Sequence, residues 1–311
     1  MLSLFPFLAL AFMVGMVTPW QTLVNSKIRA QLDSPLLASC VNCLVGAMLL
    51  LCLMLVTGQS FYRDPALLTS LPWWFYISGP LGAAMLVAAL VLLPRLGMVG
   101  TTVAMMSGML IFGLTCDHWA LFGLTRAPFS LLRALGLFLV VIGILTALQV
   151  LSRLHEHALR LNGSLIIWFI LGSLAGACGT LQAAVNALLR VAIGSMLYCA
   201  LFSMVITALL TLLLALCSGQ SVRRLRKLHV RGQLINYSGG VMGVINIAGN
   251  ALLLPHIGAG ALSTLIIAGQ LVCSMLLDHF GVGNLPRRRV NRHKILGIVL
   301  ILLGLCCIRL L

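Results

Sequence analysis

Asn246 and Asn250 stand four residues apart inside an otherwise apolar run, so they share one face of a helix. A carboxamide both donates and accepts hydrogen bonds, and such a pair can hold a polar ligand where water is excluded. Gln21 with Asn25, and Gln182 with Asn186, repeat the same four-residue spacing. Asp117-His118 and Asp278-His279 are adjacent acid–imidazole pairs, each at the end of an apolar run, suited to gating a path or carrying a proton. Each group also has a plainer reading. The amides could be interhelical packing bonds, worth ~0.6 kcal/mol per pair, and the aspartates could be helix-end residues satisfied by water or a neighbouring arginine. His155-Glu156-His157 lacks the His-Glu-x-x-His spacing of a zinc helix and reads as a solvated loop. No glycine-rich nucleotide loop occurs, and neither a metal, a cofactor nor a set of catalytic residues is expected, so the reading is not an enzyme.

The elements that must position these residues are membrane spans. Of 311 residues, 61% are hydrophobic and 8% charged, with a mean hydropathy of +1.13. A soluble domain carries about 25% charged residues, which excludes soluble enzymes, secreted scaffolds and disordered chains. Apolar windows of ~20 residues fall over 3–26, 35–57, 72–93, 97–117, 130–151, 164–188, 195–217, 232–254, 258–278 and 294–311. The net charge of +15, from 20 Lys and Arg against 5 Asp and Glu, would suggest nucleic acid in a soluble protein. Here it fits basic cytoplasmic loops instead. All ten cysteines lie in apolar runs and read as packing residues, Cys40-x-x-Cys43 included. The N-terminus has no basic stretch ahead of its apolar run and is expected to be a retained span.

A shift of 161 residues superposes one half of the sequence on the other. Gln21 and Asn25 meet Gln182 and Asn186, Gly58-Gln59-Ser60 meets Gly219-Gln220-Ser221, and Pro94-x-x-Gly97 meets Pro255-x-x-Gly258. Asp117-His118 meets Asp278-His279, Arg126 meets Arg287, and Gly136 and Gly143 meet Gly297 and Gly304. The expected organisation is a five-helix repeat over 1–151, a cytoplasmic linker over 152–163, and a second repeat over 164–311. Five is odd, so the copies should cross in opposite senses, as in inverted-repeat transporters. The fold class expected is all-α integral membrane, ten transmembrane helices in two inverted-topology repeats. Under that topology 15 of the 20 basic residues fall on one side, which is then cytoplasmic, with both termini outside.

The run Ala268-Gly269-Gln270-Leu271, then Ser274, then Leu277-Asp278-His279-Phe280-Gly281 resembles the most recognisable motif of the YdcZ-type proteins of the drug/metabolite transporter superfamily. Gln182-x-x-x-Asn186 with Gly194-Ser195, and the Pro255-x-x-Gly258 turn, are similar too. The resemblance covers both copies as a fused pair. It implies a bacterial inner-membrane protein of ten helices in inverted repeats. The first copy departs from the motif, with Met109 opposite Gln270 and Trp119 opposite Phe280. The first-helix glutamate of the small multidrug branch has no counterpart.

Asn246 and Asn250 correspond to Met85 and Ala89, and an asymmetric substrate needs an asymmetric site. The substrate-binding set expected is Asn42, Thr101, Met105, Asn246, Asn250 and Gln270, with Ser39, Thr102, Ser263 and Thr264 able to complete a cavity. The gating or coupling set is Gln21, Asn25, Asp117, His118, Gln182, Asn186, Asp278 and His279. Gly172-x-x-x-Gly176 and Gly239-x-x-x-Gly243 should allow close helix approach. Gly136, Gly143, Gly297 and Gly304 should line a contact between helices or between two molecules, and Pro19 should kink or break the first helix. The function expected is secondary transport of a small metabolite or drug-like solute by alternating access. The alternatives are a non-transporting membrane subunit and a lipid flippase. The partners expected are that solute and the lipid bilayer, with no nucleic acid; proton coupling through the Asp-His pairs and a homodimer are further options.

Overall fold

A computed structural model describes residues 5–59, 70–119, 121, 130–147, 163–228, 234–284, 286–288 and 290–309. Arg63, Asp64, Arg126 and the linker residues 152–162, with His155-Glu156-His157, lie outside them. The helices are α1 (Phe5–Leu32), α2 (Pro35–Val56), α3 (Ser78–Trp119), α4 (Leu131–Ala147), α5 (Gly163–Ile193), α6 (Met196–Cys217), α7 (Ser238–Phe280) and α8 (Arg292–Arg309). Short 3-10 turns lie at Trp73–Ile77, Val222–Lys227, Leu234–Tyr237 and Val282–Asn284, and no strand occurs among the described residues. Among the described residues, five stretches are long and apolar enough to cross a membrane: Phe5–Leu32, Pro35–Val56, Trp73–Cys116, Leu165–Ile193 and Met196–Cys217. Leu131–Ala147 and Thr264–Phe280 are shorter apolar helices.

A straight helix of the 42 residues of α3 would be about 63 Å long, twice the ~30 Å hydrocarbon thickness. It is instead a hairpin. Gly97 leaves helical geometry at φ 77° and ψ 179°, three residues after Pro94. Before the turn, Gly82, Met85 and Leu92 meet Gln182, Gly179 and Gly172 of α5 in descending order. After it, Ala104, Met105 and Met109 meet Ser173, Gly176 and Thr180 in ascending order. The arms 78–96 and 98–119 (α3a and α3b) therefore run in opposite directions. The 43-residue α7 behaves alike toward α1. Gly239, Asn246 and Gly249 meet Asn25, Thr18 and Val14, whereas Ile266, Gln270 and Cys273 meet Gly15, Thr18 and Trp20. Its arms are 238–254 (α7a) and 258–280 (α7b).

The repeats exchange partners. Under the 161-residue shift the α1–α7 contact becomes the α5–α3 contact, and these are among the most extensive in the molecule. The α2–α6 and α4–α8 pairs map onto themselves, and both are antiparallel. Gly46 meets Met204 while Cys40 meets Thr211, and Gly136 meets Gly304 while Gly143 meets Gly297. The two halves are thus related by a pseudo-two-fold, and the four glycines of α4 and α8 join helices of one molecule.

The first helix is not broken at Pro19: α1 runs through it and on past residue 26 to Leu32, and Arg29 Nη1 near its end donates to the Leu90 carbonyl at 2.5 Å. The third span opens with a 3-10 turn at Trp73–Ile77, whose Phe75 packs on Val185, Leu189 and Ile193, and becomes α-helical at Ser78.

Candidate functional site

Thr18 is the midpoint of α1, and Asn246 and Gln270 lie at the middles of α7a and α7b. The three meet there. The Thr18 hydroxyl oxygen accepts from Asn246 Nδ2 at 3.0 Å and from Gln270 Nε2 at 3.4 Å. Asn250 Nδ2 donates to Asn246 Oδ1 at 3.0 Å and to its carbonyl at 2.8 Å. One turn beyond Gln270, Ser274 donates to the Gln270 carbonyl and bonds the Thr102 hydroxyl at 2.7 Å. The first three of these groups are half-buried, and all are uncharged. Asn246, Asn250 and Gln270 are thus brought together as a set, whereas three other members of the expected substrate set fall elsewhere. Asn42 accepts from Gln21 Nε2 at 3.4 Å, Thr101 is buried with no partner for its hydroxyl among the described residues, and Met105 packs with Ala89 and Ala175.

Four of the residues expected to gate, Gln21, Asn25, Gln182 and Asn186, form two matched clusters toward opposite ends of the bundle. In one, Gln21 reaches Asn42, and Asn25 is buried beside the first turn of α7, where a Cβ on Gly239 would lie 2.1 Å from its Oδ1. In the other, Gln182 Nε2 donates to Ser203 at 3.4 Å and crowds Gly82. Asn42 and Ser203 correspond under the repeat shift, as do Gly243, beside Gln21, and Gly82, beside Gln182. Asn25 Oδ1 and Asn186 Oδ1 are both buried without a hydrogen-bond partner among the described residues.

Asp278 is 2% exposed, and its carboxylate accepts from the backbone N–H groups of Met98 and Val99 at 2.9 and 3.0 Å. These are the unpaired donors that open α3b after the Gly97 turn, where a negative charge also complements the helix dipole. The Asp278 carbonyl accepts from Arg288 N, and Arg288 Nη1 donates to the Leu96 carbonyl at 2.7 Å. His279 Nδ1 accepts from Val290 N at 3.1 Å, so the pair ties the following loop to the α3 turn. In the other copy, His118 Nδ1 is buried without a partner among the described residues, and its ring meets Trp119 edge-on; Asp117 lies in the last turns of α3.

Basic residues gather around the Asp278 end. Arg224 donates to the Asp33 carbonyl at 2.8 Å and lies 3.8 Å from its carboxylate. Ser34 bonds Gln220, and the Arg95 guanidinium sits 3.6 Å above the Trp168 ring. Thr18 is the site residue that sequence reasoning did not single out. Its position three and seven residues before Gln21 and Asn25, on the same helix face, was the available signal.

An all-helical bundle with apolar outward faces, a duplicated unit and a neutral polar cluster at mid-depth defines a multi-pass membrane protein. The family model described as "Putative inner membrane exporter, YdcZ" matches twice, over residues 6–146 and 167–307, the two matches standing one repeat shift apart. The chain belongs to this family of inner-membrane transporters. No curated protein matches it. A crystal structure with no more specific description than "protein" is 17% identical, with a TM-score of 0.58 over 96% of this chain and 97% of its own; at that identity the likeness shows the fold alone.

Proposed function

We propose that the chain is a secondary transporter that moves a small solute by alternating access between two five-span repeats of inverted topology. The hairpins α3 and α7 each supply two spans, so each repeat contributes five and the total is ten. An odd count supports opposite insertion of the copies, and the basic end then faces the cytoplasm with both termini outside. Residues 1–151 and 164–311 are the two repeats and 152–163 the linker between them.

The observation that carries the proposal is the exchange of partners. α1 belongs to one repeat but packs along α7 of the other, and α5 does the same with α3. A rotation of one repeat therefore loosens one end as it tightens the other. The Gln21–Asn42 and Gln182–Ser203 clusters are the gates at those ends, and the unpaired Asn25 and Asn186 oxygens are the groups that change partners. Asp278 and His279 latch the α3 turn at the cytoplasmic end. The Thr18–Asn246–Gln270 cluster, at mid-depth and present at the α1–α7 seam but not at its α5–α3 counterpart, is the substrate site.

Spin labels test the exchange without knowledge of the substrate. Ala30 with Ser218 spans the repeats at the basic end, and Val191 with Thr57 is the equivalent pair at the other; all four are exposed. In proteoliposomes under imposed pH and Na⁺ gradients, double electron–electron resonance should give two distances for each pair, with populations that change in opposite directions. A single unchanging distance at both ends would refute alternating access. A response to the pH gradient alone would assign proton coupling.

A further inference from the structure

Gly239, Gly243, Asn246 and Asn250 are spaced four, three and four residues apart, so they form one stripe along α7a. Asn25, Gln21 and Thr18 lie opposite in antiparallel order on α1. The result is a track of carboxamides and hydroxyls from the cytoplasmic end to the middle of the bundle, without a charged side chain. Thr18 is its hub, since both Asn246 and Gln270 donate to its oxygen. The remaining N–H of each of these amides and the Gln270 carbonyl oxygen have no protein partner among the described residues, and they can bond a ligand.

The repeat shift converts Thr18, Asn246, Asn250 and Gln270 into Gly179, Met85, Ala89 and Met109. There a thioether fills the space, for a Cβ at Gly179 would meet Met85 Sδ at 2.8 Å. The α1–α7 seam thus offers neutral hydrogen bonds at the depth where the equivalent α5–α3 seam offers sulfur and methyl groups. Resting on the transport reading above, we infer that the site takes an uncharged solute with a hydroxyl- or amide-bearing end and an apolar end. Its polar end bonds Thr18, Asn246 and Gln270, and its apolar end turns toward the half carrying Met85 and Met109. An ion at this depth would lose its hydration and meet no opposite charge on the track.

Full-length protein in nanodiscs is titrated with three probes of one size, pentane-1,2-diol, pentylammonium and pentanoate, with binding read by saturation-transfer NMR. The diol should bind at least about tenfold more tightly than either ion, and Thr18→Val or Asn246→Leu should each weaken it about tenfold, the effect of a polar contact left unmade. Asn246→Asp keeps the side-chain shape and should turn the preference to pentylammonium, a gain that misfolding cannot imitate. The inference is overturned if an ion binds the unaltered protein better than the diol, if the diol does not bind, or if Thr18→Val and Asn246→Leu both leave its binding unchanged. Spin-label distances that exchange while the diol preference fails would sink this inference and leave transport standing. A bound diol with ends that never exchange would do the reverse.

Discussion

Asp278 stands in the bundle with backbone N–H groups as its partners, which explains why an acid is tolerated at 2% exposure. Met98 and Val99 open a helix in mid-protein, so their N–H groups have no intrahelical acceptor, and the carboxylate takes both. Asp278→Ala should therefore destabilise the protein by about 1–3 kcal/mol, the cost of stranding buried donors, whereas Asp278→Asn, which keeps one acceptor, should lose less. Thermal unfolding in detergent checks the order; an unperturbed Asp278→Ala variant would show that the cap contributes nothing. The sequence alone singled out Asp278 but not these partners, because they lie about 180 residues away across the repeat boundary. Asn246 and Asn250 were legible as a pair because amides are rare in apolar runs. Thr18 was not, since a lone threonine in such a helix commonly bonds its own backbone and its repeat counterpart is glycine.

Helices that share a membrane gain little from apolar burial and associate through close backbone approach, which small residues permit. Gly108 and Gly176 seat α3b on α5, and their repeat counterparts Gly269 and Gly15 seat α7b on α1. A Cβ at Gly108 would lie 1.6 Å from the Ser173 carbonyl oxygen, and one at Gly269 would lie 2.1 Å from that of Phe12. Gly108→Val and Gly269→Val should each cost about 1–3 kcal/mol of overpacking, read as lowered melting temperatures. Gly58→Asn is the control: its φ of 65° suits asparagine and nothing lies within 4 Å of a Cβ there. A melting temperature at Gly108→Val no lower than the control's would remove the tight seam from the account. The small-residue patterns at Gly172 and Gly239 were visible in sequence, as was the glycine pair on each of α4 and α8. The Gly15–Gly269 crossing was not, because its two members come from different repeats and only the folded chain makes them neighbours. The hairpin turns were legible from Pro-x-x-Gly, although helical hydrogen bonding continues so close to Gly97 that each hairpin reads as one long helix.

The proposed orientation of the whole molecule rests on the pairing of repeats with the placement of charge. α2 and α6 are repeat counterparts, yet they run antiparallel across the pseudo-two-fold, so their C-terminal caps Thr57 and Ser218 lie at opposite ends. Thr57 is near Ser195, which bonds Gln59, and Ser218 is near the Ser34–Gln220 contact and the Arg224–Asp33 pair. Equivalent residues thus occupy one end poor in Lys and Arg and one end rich in them, and the proposed opposite insertion of the two copies rests on that difference. Both residues are exposed, and a cysteine at either should react with a maleimide that reaches it. In spheroplasts of a variant whose native cysteines are replaced, a membrane-impermeant maleimide should label Thr57→Cys and leave Ser218→Cys unmodified until the membrane is opened. Labelling of Ser218→Cys alone would reverse the orientation and place the basic loops outside. Equal labelling of both from outside would mean that the caps share one face of the membrane, and the inverted repeat, with the alternating access built on it, would have to be given up.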